Sequence, residues 1–227
     1  MKNLLKILLI LISPALFAAN NDIYITQSGT GLTMNIDQIG DSNIVGTSQA
    51  RAIFSGTSMT VDVDQIGDSN KLTASVLQGN SSSITVTNTG DSNETTLDLG
   101  DSGDVANTDF DYAATGDSNI VSFTQGAAAT ATAGNQDIVI VGTSNNIDAT
   151  CEVVGCINNW DVDGDSNDID TKQTGNADHE ITAEITGSTN NIDIDQTNST
   201  GSVSDVVVIT ATTSNATIDI DQCTSGC

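Results

Sequence analysis

One tetrapeptide punctuates this chain: Gly-Asp-Ser-Asn begins at Gly40, Gly67, Gly90, Gly116 and Gly164. Altered copies begin at Gly142 (GTSN), Gly187 (GSTN) and Thr212 (TTSN). The interval stays near 25 residues from one end of the chain to the other. A period of that size marks an architecture of stacked repeats, each unit too small to bury an apolar face alone. The repeat predicts one domain, residues 20–227.

Between the turns, side chains alternate with period two. Met34, Ile36 and Gln38 share one parity, as do Asn43, Val45, Thr47 and Gln49. The same parity collects Val61, Val63 and Gln65, then Asn70, Leu72, Ala74, Val76 and Gln78. The opposite parity is polar or acidic, as at Asp62, Asp64, Asp168, Asp170, Asp193 and Asp195. Alternation over short runs rich in β-branched residues is the signal of a half-buried strand. The expected fold is all-β: a two-sheet β-solenoid of about eight strand-turn-strand coils with cross-β stacking and uncapped ends. Rungs would lie ~4.8 Å apart and the sheets ~10 Å apart, giving a rod roughly 40 Å long.

The inward positions include amides as well as aliphatics. The turn asparagines Asn43, Asn70, Asn93, Asn119, Asn145, Asn167, Asn190 and Asn215 would stack on one another. A glutamine follows six positions later at Gln49, Gln125, Gln173 and Gln196, with longer spacings to Gln78 and Gln222. Leu99 and Cys151 take that place in two repeats, and Gln27 ends an opening half-repeat with Ile23 and Ile25 inward. With Gln38 and Gln65 these amides form the expected structural ladder, since stacked carboxamides hydrogen-bond along the stacking axis. The glycines of the turns, Gly40, Gly67, Gly90, Gly116, Gly142, Gly164 and Gly187, are expected to supply backbone freedom.

The amino-terminal segment reads differently. Lys2 and Lys6 precede an apolar run from Leu4 to Ile12, Pro14 breaks it, and small residues follow at Ala18 and Ala19. That is the pattern of a secretory signal peptide over residues 1–19. The apolar run is shorter than the ~20 residues of a membrane span. Beyond it only Arg51, Lys71 and Lys172 oppose 30 acids, a balance that disfavours nucleic acid and anionic lipid. Cys151, Cys156, Cys223 and Cys227 make an even set in an exported chain, which permits disulfides. Their short spacings suggest two local clips without fixing the pairing. Zinc is the rival, weakened by the distance between the pairs and by the lone His179, which lies near neither.

The pattern Gln-x-Gly-x-x-Asn-x5-Gln at Gln38, Gly40, Asn43 and Gln49 resembles the repeat of the curlins, subunits of bacterial curli fibres. It returns at Gln65, Gly67 and Asn70 with Gln78 displaced. Later repeats replace the first glutamine with Asn88, Ala114, Ile140, Val162 or Ile185. The resemblance covers nearly the whole chain beyond the signal and is stronger in period than in identity. It implies a self-assembling, amyloid-like extracellular fibre at the surface of a Gram-negative-type bacterium, built for biofilm and adhesion. It also implies partners: copies of the chain itself, an outer-membrane secretion pore and a nucleator subunit.

Rival functions leave weaker traces. Gly-Asp-Ser also presents the nucleophile of a family of serine hydrolases, but one histidine cannot serve five equivalent serines. His179 reads as a solvated loop residue, and no enzyme or cofactor is expected. The stretch DVDGDSNDID resembles a calcium loop, with Asp161, Asp163 and Asp165 as candidates. Ser166 stands where such a loop needs glycine and no glutamate closes it, so only weak, non-specific divalent binding is expected. Like-charged aspartates one rung apart repel by about 0.9 kcal/mol in bulk-water dielectric. A monomeric adhesin or surface-layer solenoid is the main alternative; an ice-binding solenoid lacks the in-register threonine row.

Overall fold

The computed structural model describes residues 21–46, 51–78, 80–100, 106–126, 135–152, 155–175, 179–198 and 205–224. The signal-peptide segment, Thr47, Gln49 and Cys227 lie outside those residues. In chain order the strands begin with β1 (Asn21–Ile23), β2 (Thr26–Ser28), β3 (Thr33–Ile39), β4 (Ser42–Val45) and β5 (Ala52–Ser55). They continue with β6 (Thr60–Ile66), β7 (Ser69–Gln78), β8 (Ser83–Thr89), β9 (Ser92–Leu99), β10 (Asp109–Thr115) and β11 (Ser118–Gln125). The series closes with β12 (Asn135–Val141), β13 (Ser144–Cys151), β14 (Ile157–Asp163), β15 (Ser166–Gly175), β16 (Glu180–Asn198) and β17 (Val206–Thr224).

Every pairing is parallel, and partners sit one coil apart in sequence. The chain is a β-solenoid. One sheet stacks the strands that enter the turns: β3, β6, β8, β10, β12, β14, then the first halves of β16 and β17. The other stacks the strands that leave them, from β1–β2 through β4–β5, β7, β9, β11, β13 and β15 to the second halves of β16 and β17. Alternate residues face inward: β10 and β12 expose and bury their side chains in strict succession. The core therefore runs as columns of like residues. One column reads Val45, Leu72, Thr95, Val121, Ile147, Ile169, Ile192, all buried. Midway along, Phe123 stacks on Phe110 with ring centroids 4.9 Å apart.

The turns stack as tightly as the strands. The Gly116 N–H donates to Val141 O (3.0 Å) in the next coil, while the Ser118 N–H donates back to Asp91 O (3.0 Å) in the previous one. Backbone pairing thus passes through the turn, and this leaves little room for a side chain at these glycines. A Cβ on Gly142 would overlap the carbonyl oxygen of Gly116 and meet Asn119 Nδ2; Gly67, Gly90, Gly116, Gly164 and Gly187 are hemmed in likewise. Of the seven turn glycines only Gly40 has a positive φ, 152°. For the other six the expected reason, backbone freedom, is corrected to lack of space.

The register also corrects two places in the ladder, Gln78 and Asn215. Gln27 pairs with Phe54, Phe54 with Val76, and Val76 with Leu99. The second-glutamine place of the early coils is therefore apolar. Gln49 lies outside the described residues; the strand resumes at Ala52, and Phe54 stands in the second-glutamine place of that coil. Gln78 pairs beyond a register shift with Ser55, so spacing from Asn70 overshoots by two. In the last coil Ala216, not Asn215, lies opposite Asn190, and Thr213 lies opposite Gly187.

Because the constraint at the turn is steric, Gly142→Ala is expected to lower stability by about 1–3 kcal/mol, as overpacking does. Gly29, whose added Cβ would meet nothing within 4 Å, is the matched control. Gly29→Ala should stay within ~0.5 kcal/mol of wild type, and urea denaturation of both variants checks the contrast.

Candidate functional site: the amide ladders and the solenoid ends

Each turn places an asparagine at the first inward position after the glycine, and the coil repeat brings these side chains into line. Asn43 Nδ2 donates to Asn70 Oδ1 (2.7 Å), and Asn70, Asn93, Asn119, Asn145 and Asn167 each repeat the bond to the next coil at 2.7–2.9 Å. The amide nitrogen also reaches the carbonyl just before the next coil's glycine: Asn93 to Thr115 O (3.2 Å), Asn119 to Val141 O (3.3 Å) and Asn167 to Thr186 O (3.1 Å). One side chain thus ties two coils through both of its hydrogens. All seven asparagines of this run are buried.

The run has a direction. Every link donates towards the carboxy-terminal coil, and it stops where Ala216 offers no acceptor. Asn190 Nδ2 accordingly has no partner. Asn215, expected in the ladder, is exposed beside Thr213.

Glutamines form two shorter ladders. Gln65 Nε2 donates to Gln38 Oε1 (2.7 Å). The next residue in that column, Asn88, is one methylene shorter and turns instead to Thr95 Oγ1 (2.9 Å). At the other end Gln222 donates to Gln196 and Gln196 to Gln173, both at 2.7 Å. Gln125 lies between these ladders and accepts from Gln136 Nε2 (2.6 Å), which comes from the facing strand β12. Gln136 was absent from the expected ladder, although it has the inward parity of Ile138 and Ile140.

Cys151, Cys156, His179 and Cys223 sit at or beside strand ends on the edge opposite the glycine turns. Cys151 and Cys156 are disulfide-bonded with Cα atoms 6.4 Å apart, within the usual range, and close the short link between β13 and β14. Cys223 is disulfide-bonded as well. His179 is not solvated: it is fully buried, and its Nδ1 accepts the Cys156 N–H (3.2 Å). A buried ring accepting a backbone proton one coil away is a core residue, and this corrects the expectation of a loop side chain.

Outside, the acids stack as well. Asp148, Asp170, Asp193 and Asp219 occupy one column. Partial loss of hydration, then Asp170, Asp219, Asp221 and Asp195, raise the Asp193 pKa above its ordinary 3.8. Asp62 is raised by burial and then by Asp64 and Asp37, and Asp111 by burial and then by Asp137 and Asp109. Asparagines relieve some neighbours, as where Asn159 Nδ2 donates to Asp137 (2.7 Å) and Asn191 Nδ2 to Asp168 (2.8 Å). The calcium candidates do not converge: Asp161 lies between Val139 and Glu184, Asp163 lies between Val141 and Thr186, and Asp165 is exposed in the turn. Among the described residues no group of three or more His, Cys, Asp or Glu is placed to hold a metal ion.

At the carboxy-terminal end the core columns open to solvent. Ile218 and Ile220 are 45% and 41% exposed, whereas Ile192 and Ile194, one coil inward, are 1% and 0%. At the other end Ile23, Ile25, Leu32 and Met34 are only partly buried. The arrangement can accept further strands in register at both ends. No protein family, curated protein or solved structure matches the chain.

Two outcomes test the ladder and the acid columns. Asn145→Ala strands the Asn119 amide and should cost about 1–3 kcal/mol, while Ala216→Asn extends the run and should add about 1 kcal/mol. Carboxyls with raised folded pKa values favour the fold when protonated, so stability should rise as pH falls from neutral through the region just above 3.8. Asp193→Asn should raise the melting temperature at neutral pH and flatten that dependence, as circular dichroism melts would record.

Proposed function

We propose that this protein is the structural subunit of an extracellular, amyloid-like fibre of the curli type, assembling end to end. The observation that carries the reading is the state of the two ends. Each presents an unpaired parallel strand edge among the described residues, together with apolar columns that interior coils bury. Unpaired edges template further strands, and a solenoid made of like rungs needs no new geometry to continue. The curlin-like repeat supports the same reading, as do the in-register amide stacks of a cross-β assembly. A structural role needs no catalytic group or cofactor, and divalent ions would act only by screening the acidic columns.

On this reading the chain is secreted behind a signal peptide and leaves a Gram-negative-type cell through an outer-membrane pore. A nucleator seeds it there, and its fibres serve biofilm matrix and adhesion. The purified chain should form unbranched fibres giving a meridional reflection at about 4.7–4.8 Å. A chain that stays folded and monomeric at high concentration would overturn the proposal in favour of a monomeric adhesin or surface-layer protein.

A further inference from the structure

The two ends of the solenoid are not equivalent, and their register determines how one copy meets the next. At the amino-terminal end β1–β2 extends one rung beyond β3: it pairs with β4–β5, the coil mates of β3. At the carboxy-terminal end both halves of β17 finish on the same rung, since both pair with β16. The exposed strands belong to the same columns. Asn21 is in the asparagine column through Asn43, and Ala216 is in it through Asn190. Gln27 and Gln222 share the second-glutamine place, through Phe54 and Gln196 respectively.

We infer that copies join by docking β1–β2 of one on the second half of β17 of the other. The strands run parallel, with Asn21 on Ala216, Ile23 on Ile218, Ile25 on Ile220 and Gln27 on Gln222. This joint rests on the fibre reading and gives it residues. It covers the isoleucines that the carboxy-terminal end leaves open and extends the Gln173–Gln196–Gln222 ladder into the next copy.

Charge favours the same partner. Inside the chain Asp193 stacks on Asp219 and Asp195 on Asp221. Across the joint Asp219 would meet Tyr24 and Asp221 would meet Thr26, while Asp22 would meet Thr217, so no acid faces an acid. A two-fold pairing of carboxy-terminal ends would instead set the Asp219 and Asp221 rows of both copies together.

The extra rung has a geometric consequence. When β1–β2 touches β17, β3 of one copy and the first half of β17 of the other stand two rungs apart, ~9.6 Å at ~4.8 Å per rung. That exceeds the ~7 Å limit of Cα separation for a disulfide, whereas one rung lies within it.

The test mixes single-cysteine variants under mild oxidation and reads cross-links by peptide mass. Thr26→Cys mixed with Asp221→Cys should give a covalent dimer through Cys introduced at those two sites. Asn35→Cys mixed with Val208→Cys, which share an outward column of the other sheet, should not. Each variant alone controls for the native cysteines. Fibres in which the second pair cross-links, or neither does, overturn this joint and leave the fibre reading standing. If no assembly forms, both fall.

Discussion

A primary amide can donate and accept along a single line, and the stacking of this solenoid depends on that property. Six consecutive asparagine links bind coil to coil inside the core. Each is worth only about 1 kcal/mol net, but breaking one leaves a buried amide unsatisfied at greater cost. Backbone pairing through the turn sets the separation of neighbouring turns; the amide bond spans that same separation, which leaves no room for a Cβ at the glycine. Asparagine and glycine are thus two parts of one constraint. Where the last coil abandons the asparagine for Ala216 it also abandons the glycine for Thr213.

Period, parity and turn position were legible in the sequence because they are properties of neighbouring residues. The alternation puts Val61, Val63 and Gln65 inward, and all three are buried. Register was harder to read. Six residues on from Asn70 stands Val76, which holds the place, whereas the stretched spacing to Gln78 overshoots it. Counting six residues assumes an unbroken strand, and it fails where β4 and β5 are separated. It fails again in the last coil, where Thr-Ser-Asn imitates the turn one residue early. The repeat that matched the curlin pattern in full, Gln38 to Gln49, is thus the one whose second glutamine place the fold gives to Phe54. His179 was misjudged because its burial depends on Cys156 one coil away, a neighbour that local sequence does not announce.

Cohesion inside the solenoid is opposed by charge outside it. Parallel in-register stacking aligns amides, and it must equally align aspartates on the other parity. The early coils soften this with ion pairs, Arg51 to Asp98 and Lys71 to Glu94. The later coils rely on interposed asparagine, and the column through Asp193 has no such relief. Exposed repulsions of this kind are screened by salt within a Debye length of about 8–10 Å. The amide ladder, being buried, is not. Ionic conditions therefore tune the outer columns while leaving the inner ones intact.

Direction follows from the same geometry. The strands are parallel, the asparagine links all donate one way, and the two ends carry different residues in the same columns. A closed two-fold pair would have to match an end with its own copy and reverse the strands, and between carboxy-terminal ends it would set acid rows face to face. Translation along the axis continues the columns of the sheet that holds β1–β2 and the second half of β17, and places Tyr24 and Thr26 where a further aspartate row would otherwise lie. A heterologous contact of this kind does not close on itself. The architecture that holds one coil on the next thus also favours open-ended growth over a dimer.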